Sequence, residues 1–226
     1  MNIEMADLRR QYHRLKPEID AALQEVLEST AFINGPQVKS FAVHLAEYLN
    51  VPHVIPCGNG TDAIQMALMA LNLQPGDEVI VPAFTYISAV EAVAMLGLVP
   101  VLVDVDPETF NLNIEQIEQA ISWQTKAVIA VHLFGQLCDM QPLMTLAKRY
   151  HLYVVEDNAQ SLGAECLYPD GKTQKGDDRT YRDDLLFSFQ AACLLRGRRC
   201  NDHAGRYIGG NFAADCQSWP DLKVQS

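Results

Sequence analysis

The feature that most constrains the fold is a regular alternation of short apolar segments with amphipathic segments between residues 51 and 156. The apolar segments are rich in Val and Ile, which is typical of strands that are buried on both faces. The segments between them carry apolar residues at three- and four-residue steps, the period of a helix. This pattern predicts an α/β fold, with a mostly parallel sheet flanked by helices on both faces.

The bounds of the individual elements follow from the same apolar runs and helical repeats. The predicted strands are Val51–Pro56, Glu78–Val81, Val99–Val103, Ala127–Val131 and Tyr153–Glu156. The helices predicted after the first four strands are Ala63–Leu71, Ser88–Leu96, Ile114–Ile121 and Met140–Tyr150. Two further helices, residues 6–31 and Pro36–Leu49, are expected before the first strand.

Charge and composition narrow the function classes. A formal net charge of -11 opposes nucleic-acid binding, which needs a basic face. No apolar run is long enough to span a membrane, and residues 1–10 lack the apolar core of a signal peptide, so a cytoplasmic protein is expected. The six cysteines contain no C-x-x-C pair, and we therefore expect neither a metal site nor a disulfide. A small-molecule ligand is the favoured partner.

Four segments that follow predicted strands carry the best candidates for ligand binding, because ligands of open parallel sheets lie beyond the carboxyl ends of the strands. They are Gly58–Thr61, Pro82–Tyr86, Val131–Gly135 and Glu156–Ser161. In the first, backbone N–H groups and the Thr61 hydroxyl stand at a helix start, where an anion is favoured. A glycine-rich helix entry is also common for purely structural reasons.

The other three segments differ in how specific they are. Phe84 and Tyr86 either stack on a planar ligand or belong to the core, and the core is the commoner case. His132 is more typical of a hydrogen-bonded structural histidine than of a catalyst. Asp157 is the strongest candidate, because a carboxylate after a buried strand needs a cation or several hydrogen bonds. A protonated heterocyclic nitrogen would meet that need.

Taken in order, six motifs resemble those of the DegT/StrS-type sugar aminotransferases, which are fold-type I pyridoxal-phosphate enzymes. The motifs are Asp7–Tyr12, Phe32–Pro36, Gly58–Ala63, Pro75–Val79, Val131–Gly135 and Glu156–Gln160. The ordered set is specific, although no single motif is. The resemblance implies that residues 1–175 are an N-terminal arm followed by an incomplete large domain that binds pyridoxal 5'-phosphate.

The resemblance also implies a role for each site residue. Gly60 and Thr61 would hold the cofactor phosphate, and Tyr86 would stack on the pyridine ring. Asp157 would keep the pyridine nitrogen protonated, and Gln160 would hydrogen-bond the ring oxygen. The family works as a homodimer and transfers an amino group, usually from glutamate, to a nucleotide-linked keto sugar for cell-surface polysaccharide or related biosynthesis.

The chain departs from the family at the lysine that forms the Schiff base, which is expected near Gln190. The sequence there is Ser188-Phe189-Gln190-Ala191, and no lysine occurs between Lys175 and Lys223. We therefore assign no catalytic residue, and we expect this chain to be inactive as a transaminase.

The genetic code offers an explanation for the missing lysine. Read one base further along, the possible codons from Gly176 onward permit Ala-Thr-Ile-Gly-His-Ile-Gly-Thr-Thr-Ser-Phe-Phe-Pro-Ser-Lys, with the lysine formed from the codons of Gln190 and Ala191. The same shift permits Ala-Cys-Tyr-Gly-Asp-Gly-Gly-Ala-Met across Cys193–Asn201. Both segments resemble the family, so residues 176–226 are interpreted as an aberrant, poorly ordered tail that is translated out of frame.

Two alternatives remain open. One is a non-catalytic family member that binds the cofactor or sugar, or acts as a regulator, without the lysine. The other is a relative that uses histidine in place of lysine for dehydration chemistry. His203 is the single histidine after residue 176, and it lies well past the expected position.

Overall fold

The computed structural model describes residues 7–49, 51, 53–167, 173–175, 185–189 and 192–195. The chain divides into two compact units, one up to His44 and one from Leu45 onward. The position expected for the lysine, Gln190, lies outside the described residues, as does His203.

The first unit contains α1 (Leu8–Ser29) and most of α2 (Pro36–Leu49). Helix α1 begins where the Asp7 carboxylate accepts a hydrogen bond from the Arg10 N–H at 2.8 Å. It ends at Thr30, whose φ of 51° is left-handed. Both predicted helices are confirmed, to within two residues at each end.

Within the second unit, seven strands of the described chain form one sheet in the order β1-β9-β8-β5-β4-β2-β3. Their bounds are β1 Ile55–Pro56, β2 Glu78–Pro82, β3 Val99–Val103, β4 Thr125–Val131, β5 Tyr153–Asp157, β8 Leu185–Phe189 and β9 Ala192–Leu195. The pairs β2–β3, β2–β4, β4–β5 and β5–β8 are parallel, which confirms the predicted sheet. Strands β6 (Glu165–Leu167) and β7 (Thr173–Lys175) form a separate antiparallel pair.

Four helices follow strands of this sheet and cover both of its faces. They are α3 (Gly60–Ala70), α4 (Ser88–Met95), α5 (Ile114–Ala120) and α6 (Met140–Tyr150). On β2, Val79 and Val81 belong to the core under α3 and α4, whereas Ile80 belongs to the core under α5 and α6. Because successive side chains of a strand point to opposite faces, a continuous apolar run is what such a strand requires.

Two predicted elements differ from the structure. The first strand was predicted as Val51–Pro56, but β1 has only two residues and pairs antiparallel with β9. Pro52 and Pro56 have no N–H to donate, so this segment is poorly suited to a longer ladder. Helix α3 begins three residues before the predicted Ala63, because the side chain of Asn59 accepts from the Asp62 N–H and starts the helix there.

The segment interpreted as a tail contributes β8 and β9 to the sheet, although the sequence pattern predicted no element there. Strand β8 runs parallel to β5 and places Ser188 opposite Asp157. Among the described residues, no helix is long and apolar enough to cross a membrane. In the same part of the chain, no cluster of three or more His, Cys, Asp or Glu side chains is arranged to hold a metal ion.

Candidate functional site

A cavity of about 470 Å³ lies at the carboxyl edge of the sheet and brings together all five site residues predicted from the sequence. Gly60, Thr61, Tyr86, Asp157 and Gln160 all line it. Residues that follow β1, β2, β4 and β5 therefore converge on one site, as expected where the strands are parallel. The cavity wall also includes Thr85, Ser88 and His132.

The first turn of α3 forms one wall of the cavity. Asn59 extends into β conformation, and its Oδ1 accepts from the Asp62 N–H at 2.9 Å. Its Nδ2 donates to Oδ2 of Asp62 at 3.0 Å, which holds that carboxylate at the cap. The N–H groups of Gly60 and Thr61 belong to the first turn, where helical geometry provides no acceptor. An anion at this position would meet those two N–H groups and the positive end of the helix.

Asp157 is the last residue of β5 and lines the same cavity. Its Oδ1 accepts from the Ala159 N–H at 3.0 Å, and no Lys or Arg in the described part of the chain forms an ion pair with it. Burial raises the pKa of this carboxyl, while the hydrogen bond from the Ala159 N–H opposes that rise. The carboxylate therefore has unused capacity for a cation or a strong donor in the cavity.

Glu156, the preceding residue, points away from the cavity and pairs with His132. Nε2 of His132 lies 2.9 Å from Oε2 of Glu156, and both side chains are buried. Nδ1 of His132 accepts from the Cys138 N–H at 3.0 Å. The histidine is thus hydrogen-bonded through both ring nitrogens, which agrees with its interpretation as a structural residue.

The charge of His132 follows from these two hydrogen bonds. Burial disfavours a charged ring and lowers the pKa of His132, whereas the side chains of Cys138 and Glu156 favour a charged ring and raise that pKa. The N–H of Cys138 occupies the Nδ1 lone pair, however, and a proton on Nδ1 would set two N–H groups against each other. We therefore assign the neutral ring with its proton on Nε2, where it donates to Glu156.

The two aromatics after β2 are exposed rather than core, contrary to the commoner expectation for such residues. Tyr86 is 73% exposed and lines the cavity, so its ring is available to a planar ligand. Phe84 is 50% exposed and lies outside the cavity wall, with its ring centroid 5.5 Å from that of Phe110. Only Tyr86 of this pair remains a candidate for stacking.

Gln160 is fixed by the backbone of a neighbouring turn. The Phe134 N–H donates to Oε1 of Gln160 at 2.6 Å, within the short 3-10 turn Leu133–Gly135 that follows β4. Sequence reasoning missed this contact, and it also missed the pairing of His132 with Glu156. The helix cap at Asn59 could have been recognised, because Asn three residues before an acidic residue is a common helix start.

Comparisons with known proteins identify the family of the chain. The family model described as the DegT/DnrJ/EryC1/StrS aminotransferase family matches residues 13–192, which includes the first part of the segment interpreted as a tail. The pleiotropic regulatory protein of Geobacillus stearothermophilus is 48% identical over 165 residues, which are 73% of this chain and 44% of that protein. The UDP-2-acetamido-2-deoxy-3-oxo-D-glucuronate aminotransferase of Pseudomonas aeruginosa is 47% identical over 162 residues, 72% of this chain and 45% of that protein.

Solved structures show the same similarity. The structure of NtdA from Bacillus subtilis with bound cofactor PMP aligns with a TM-score of 0.70 and 35% sequence identity, covering 81% of this chain and 42% of that chain. Several other matched relatives are named as transaminases or aminotransferases of nucleotide-linked sugars. The chain spans less than half the length of the two relatives and of the solved structure described above.

Proposed function

Because the chain belongs to the DegT/DnrJ/EryC1/StrS aminotransferase family, a family of pyridoxal-phosphate-dependent sugar aminotransferases, we propose that its cavity is the cofactor site of such an enzyme. The reaction proposed for the whole protein converts a nucleotide-linked keto sugar to an amino sugar. One observation carries the proposal: the five residues that match the family's cofactor motifs all line one cavity.

The polar groups of the cavity fit pyridoxal 5'-phosphate, which has an anionic end and a ring nitrogen that takes up a proton. Gly60 and Thr61 would bind the phosphate at the α3 N-terminus, and the Asp157 carboxylate would accept a hydrogen bond from the protonated ring nitrogen. Gln160 would donate to the ring oxygen, while Tyr86 would cover one face of the ring. These assignments leave each charged end of the cofactor with a partner of opposite charge or dipole.

When bound, the cofactor supplies an electron sink for bonds made and broken at the amino-bearing carbon. Asp157 would hold a proton at the ring nitrogen, and this proton would make the electron sink effective. The backbone N–H of His132 donates to the backbone carbonyl of Asp157 at 3.2 Å, so the segment after β4 holds the end of β5 that carries the carboxylate. The buried pair of His132 and Glu156 in turn fixes His132.

The finer features of the reaction are proposed from the family. Glutamate would be the amino donor, and the product would serve cell-surface polysaccharide or related biosynthesis. The intact protein would act as a homodimer. We place the reaction in the cytoplasm, and the free thiols of Cys57 and Cys138 are consistent with a reducing compartment.

Strand β8 reaches the edge of the sheet that carries Asp157. Strand β8 ends at Phe189, and its Ser188 is opposite Asp157, so Gln190 is the next residue in the sequence after a strand end beside the cavity. We propose that residues from about Gly176 to Ser226 are out-of-frame translation and that this polypeptide has lost the lysine of its parent enzyme. Such a chain would bind the cofactor without a covalent bond and would not transfer amino groups.

A second candidate is a non-catalytic member of the family that binds the cofactor or a sugar and acts as a regulator. Two observations favour it: the absence of a lysine between Lys175 and Lys223, and a 48% identical relative that is named a pleiotropic regulatory protein. Under this hypothesis residues 176–226 are translated in their proper reading frame.

Sequencing the DNA across codons 170–205 separates the two candidates. The out-of-frame hypothesis requires that a one-base change restore the lysine segment, and it fails if none does. The frame-restored protein should then form 2-oxoglutarate from glutamate in the presence of pyridoxal 5'-phosphate, whereas the present chain should not. Turnover by the present chain would contradict its assignment as inactive, and the failure of every one-base change to restore the lysine segment would favour the regulatory candidate.

A further inference from the structure

We infer that the turn Leu133–Gly135 is a positioning device for Gln160, with Phe134 and Gly135 as its positioning residues. The turn directs the side-chain NH2 of Gln160 into the cavity, toward the ring oxygen of the cofactor. The inference rests on the proposed function, because the proposed function supplies the cofactor to which the Gln160 NH2 would donate.

The backbone of Phe134 is strained in a way that its side chain does not explain. Its φ of 56° and ψ of 20° are left-handed, a conformation that is unfavourable for a bulky residue. The ring is 75% exposed, and its centroid lies 6.5 Å from that of Phe84. Burial of the ring therefore offers little compensation, and the reason for the conformation lies in the backbone.

The strained conformation aims the Phe134 N–H at Oε1 of Gln160, 2.6 Å away. A backbone N–H bonds only to the oxygen of an amide side chain, so this contact determines which end of the Gln160 amide faces the turn. The Nε2 group then points to the other side, where it makes no hydrogen bond within the described part of the chain. Gln160 lines the cavity, so a donor free of protein partners is available to a ligand there.

Gly135 links the turn to the backbone of Gln160. Its φ of 85° is left-handed, and a Cβ at this position would lie 3.3 Å from the Gln160 carbonyl oxygen. Any side chain there would strain the turn and press on the residue that the turn positions. The following segment is held by Asn111, whose buried Nδ2 donates to the carbonyls of Gln136 and Leu137 at 3.3 and 3.2 Å.

Gly76 provides a matched control for a test of Gly135. It also has a left-handed φ, 92°, but nothing lies within 4 Å of a Cβ built on it, and it does not line the cavity. Gly135→Ala and Gly76→Ala thus impose the same backbone penalty, one beside Gln160 and one away from it. Pyridoxamine 5'-phosphate is a suitable probe, because it carries its own amino group and needs no lysine.

The experiment measures the affinity of the full chain for pyridoxamine 5'-phosphate by fluorescence titration, together with hydrogen exchange of the Phe134 amide. Gly135→Ala should weaken binding about tenfold, the loss expected for one hydrogen bond, and should speed exchange of that amide. Gly76→Ala should leave affinity within about twofold and exchange at Phe134 unchanged. Gln160→Glu keeps the acceptor for Phe134 and removes the donor, so it should keep amide protection while weakening binding.

The outcomes separate this inference from the proposed function. If the unaltered chain binds the probe and Gly135→Ala binds it equally well, the turn does not position Gln160 and the inference fails alone. Loss of binding in Gln160→Glu without any change in Gly135→Ala has the same meaning. If the unaltered chain does not bind the probe, the proposed function fails and the inference fails with it.

Discussion

Glu156 and Asp157 are consecutive residues of β5 whose carboxylates have opposite surroundings. Glu156 lies 2.9 Å from the buried His132, whereas Asp157 lines the cavity without a Lys or Arg partner among the described residues. Successive side chains of a strand point to opposite faces, so one strand end supplies both a structural carboxylate and a ligand-facing one.

The first prediction concerns the buried pair. His132→Leu removes the donor that faces the buried Glu156 carboxylate, and it should lower the free energy of unfolding by about 2 to 3 kcal/mol. Urea denaturation of the purified chain measures this. His13→Leu, at an exposed position of α1, is the control and should change stability by less than about 0.5 kcal/mol. Equal effects of the two substitutions would mean that the pair does not stabilise the fold.

The second prediction concerns the pH dependence of stability. Burial raises the pKa of Asp157, so the folded chain holds this proton more tightly than the unfolded chain does. Its contribution to stability is full below the ordinary pKa of 3.8 and is lost as the pH rises through the raised value. Asp157→Asn keeps the acceptor for the Ala159 N–H and has no charge to bury.

In the absence of cofactor, Asp157→Asn should therefore be more stable than the unaltered chain at pH 7, and the difference should shrink as the pH falls toward 3.8. Denaturant unfolding at a series of pH values tests this. A variant that is less stable at neutral pH would show that the ionised carboxylate is already well satisfied by the protein.

The third prediction compares two helix caps. Asn59 caps α3 at the cavity and Asn113 caps α5 elsewhere, each through its Oδ1. Replacing either with Ala should cost about 1 kcal/mol of stability. Only Asn59→Ala should also weaken binding of pyridoxamine 5'-phosphate, because only α3 presents its first turn to the phosphate. Similar losses of affinity in both variants would point to a general loosening of the fold.

The fourth prediction isolates the phosphate site. Thr61→Val removes one hydroxyl at nearly constant volume, so binding of pyridoxamine 5'-phosphate should weaken about tenfold. Pyridoxamine, which lacks the phosphate, should bind the unaltered chain and Thr61→Val with equal affinity. A thermodynamic cycle compares the affinities of the two proteins for the two ligands, and it gives the coupling free energy between the Thr61 hydroxyl and the phosphate. A coupling near zero would remove Thr61 from the phosphate site.

The sequence predicted the sheet well, because continuous Val and Ile runs such as Ala127–Val131 leave little choice other than buried parallel strands. Apart from β1 and the start of α3, the predicted strands and helices are confirmed with small changes at their ends. It also predicted which segments come together, since residues that follow parallel strands must meet at one edge. Gly60 and Gln160, far apart in the chain, line one cavity for this reason.

The remaining features depend on contacts that no local pattern specifies. The pairing of His132 with Glu156 and the hydrogen bond from Phe134 to Gln160 both join residues about 25 positions apart. The left-handed φ of Phe134 runs against its own preference, so propensity alone would have predicted the opposite. Strand β1 is shorter than predicted, because an apolar run between prolines gives a strand-like pattern with too few donors.

We propose that this cavity holds the pyridoxal cofactor through Asp157 and the α3 N-terminus, both of which line it. Calorimetric titration of the full chain with pyridoxamine 5'-phosphate tests it most directly, with Asp157→Asn as the paired variant. We expect saturable binding of one molecule per chain, competition by inorganic phosphate, and affinity at least about tenfold weaker in Asp157→Asn. No binding to the unaltered chain, or equal binding to both proteins, would contradict it.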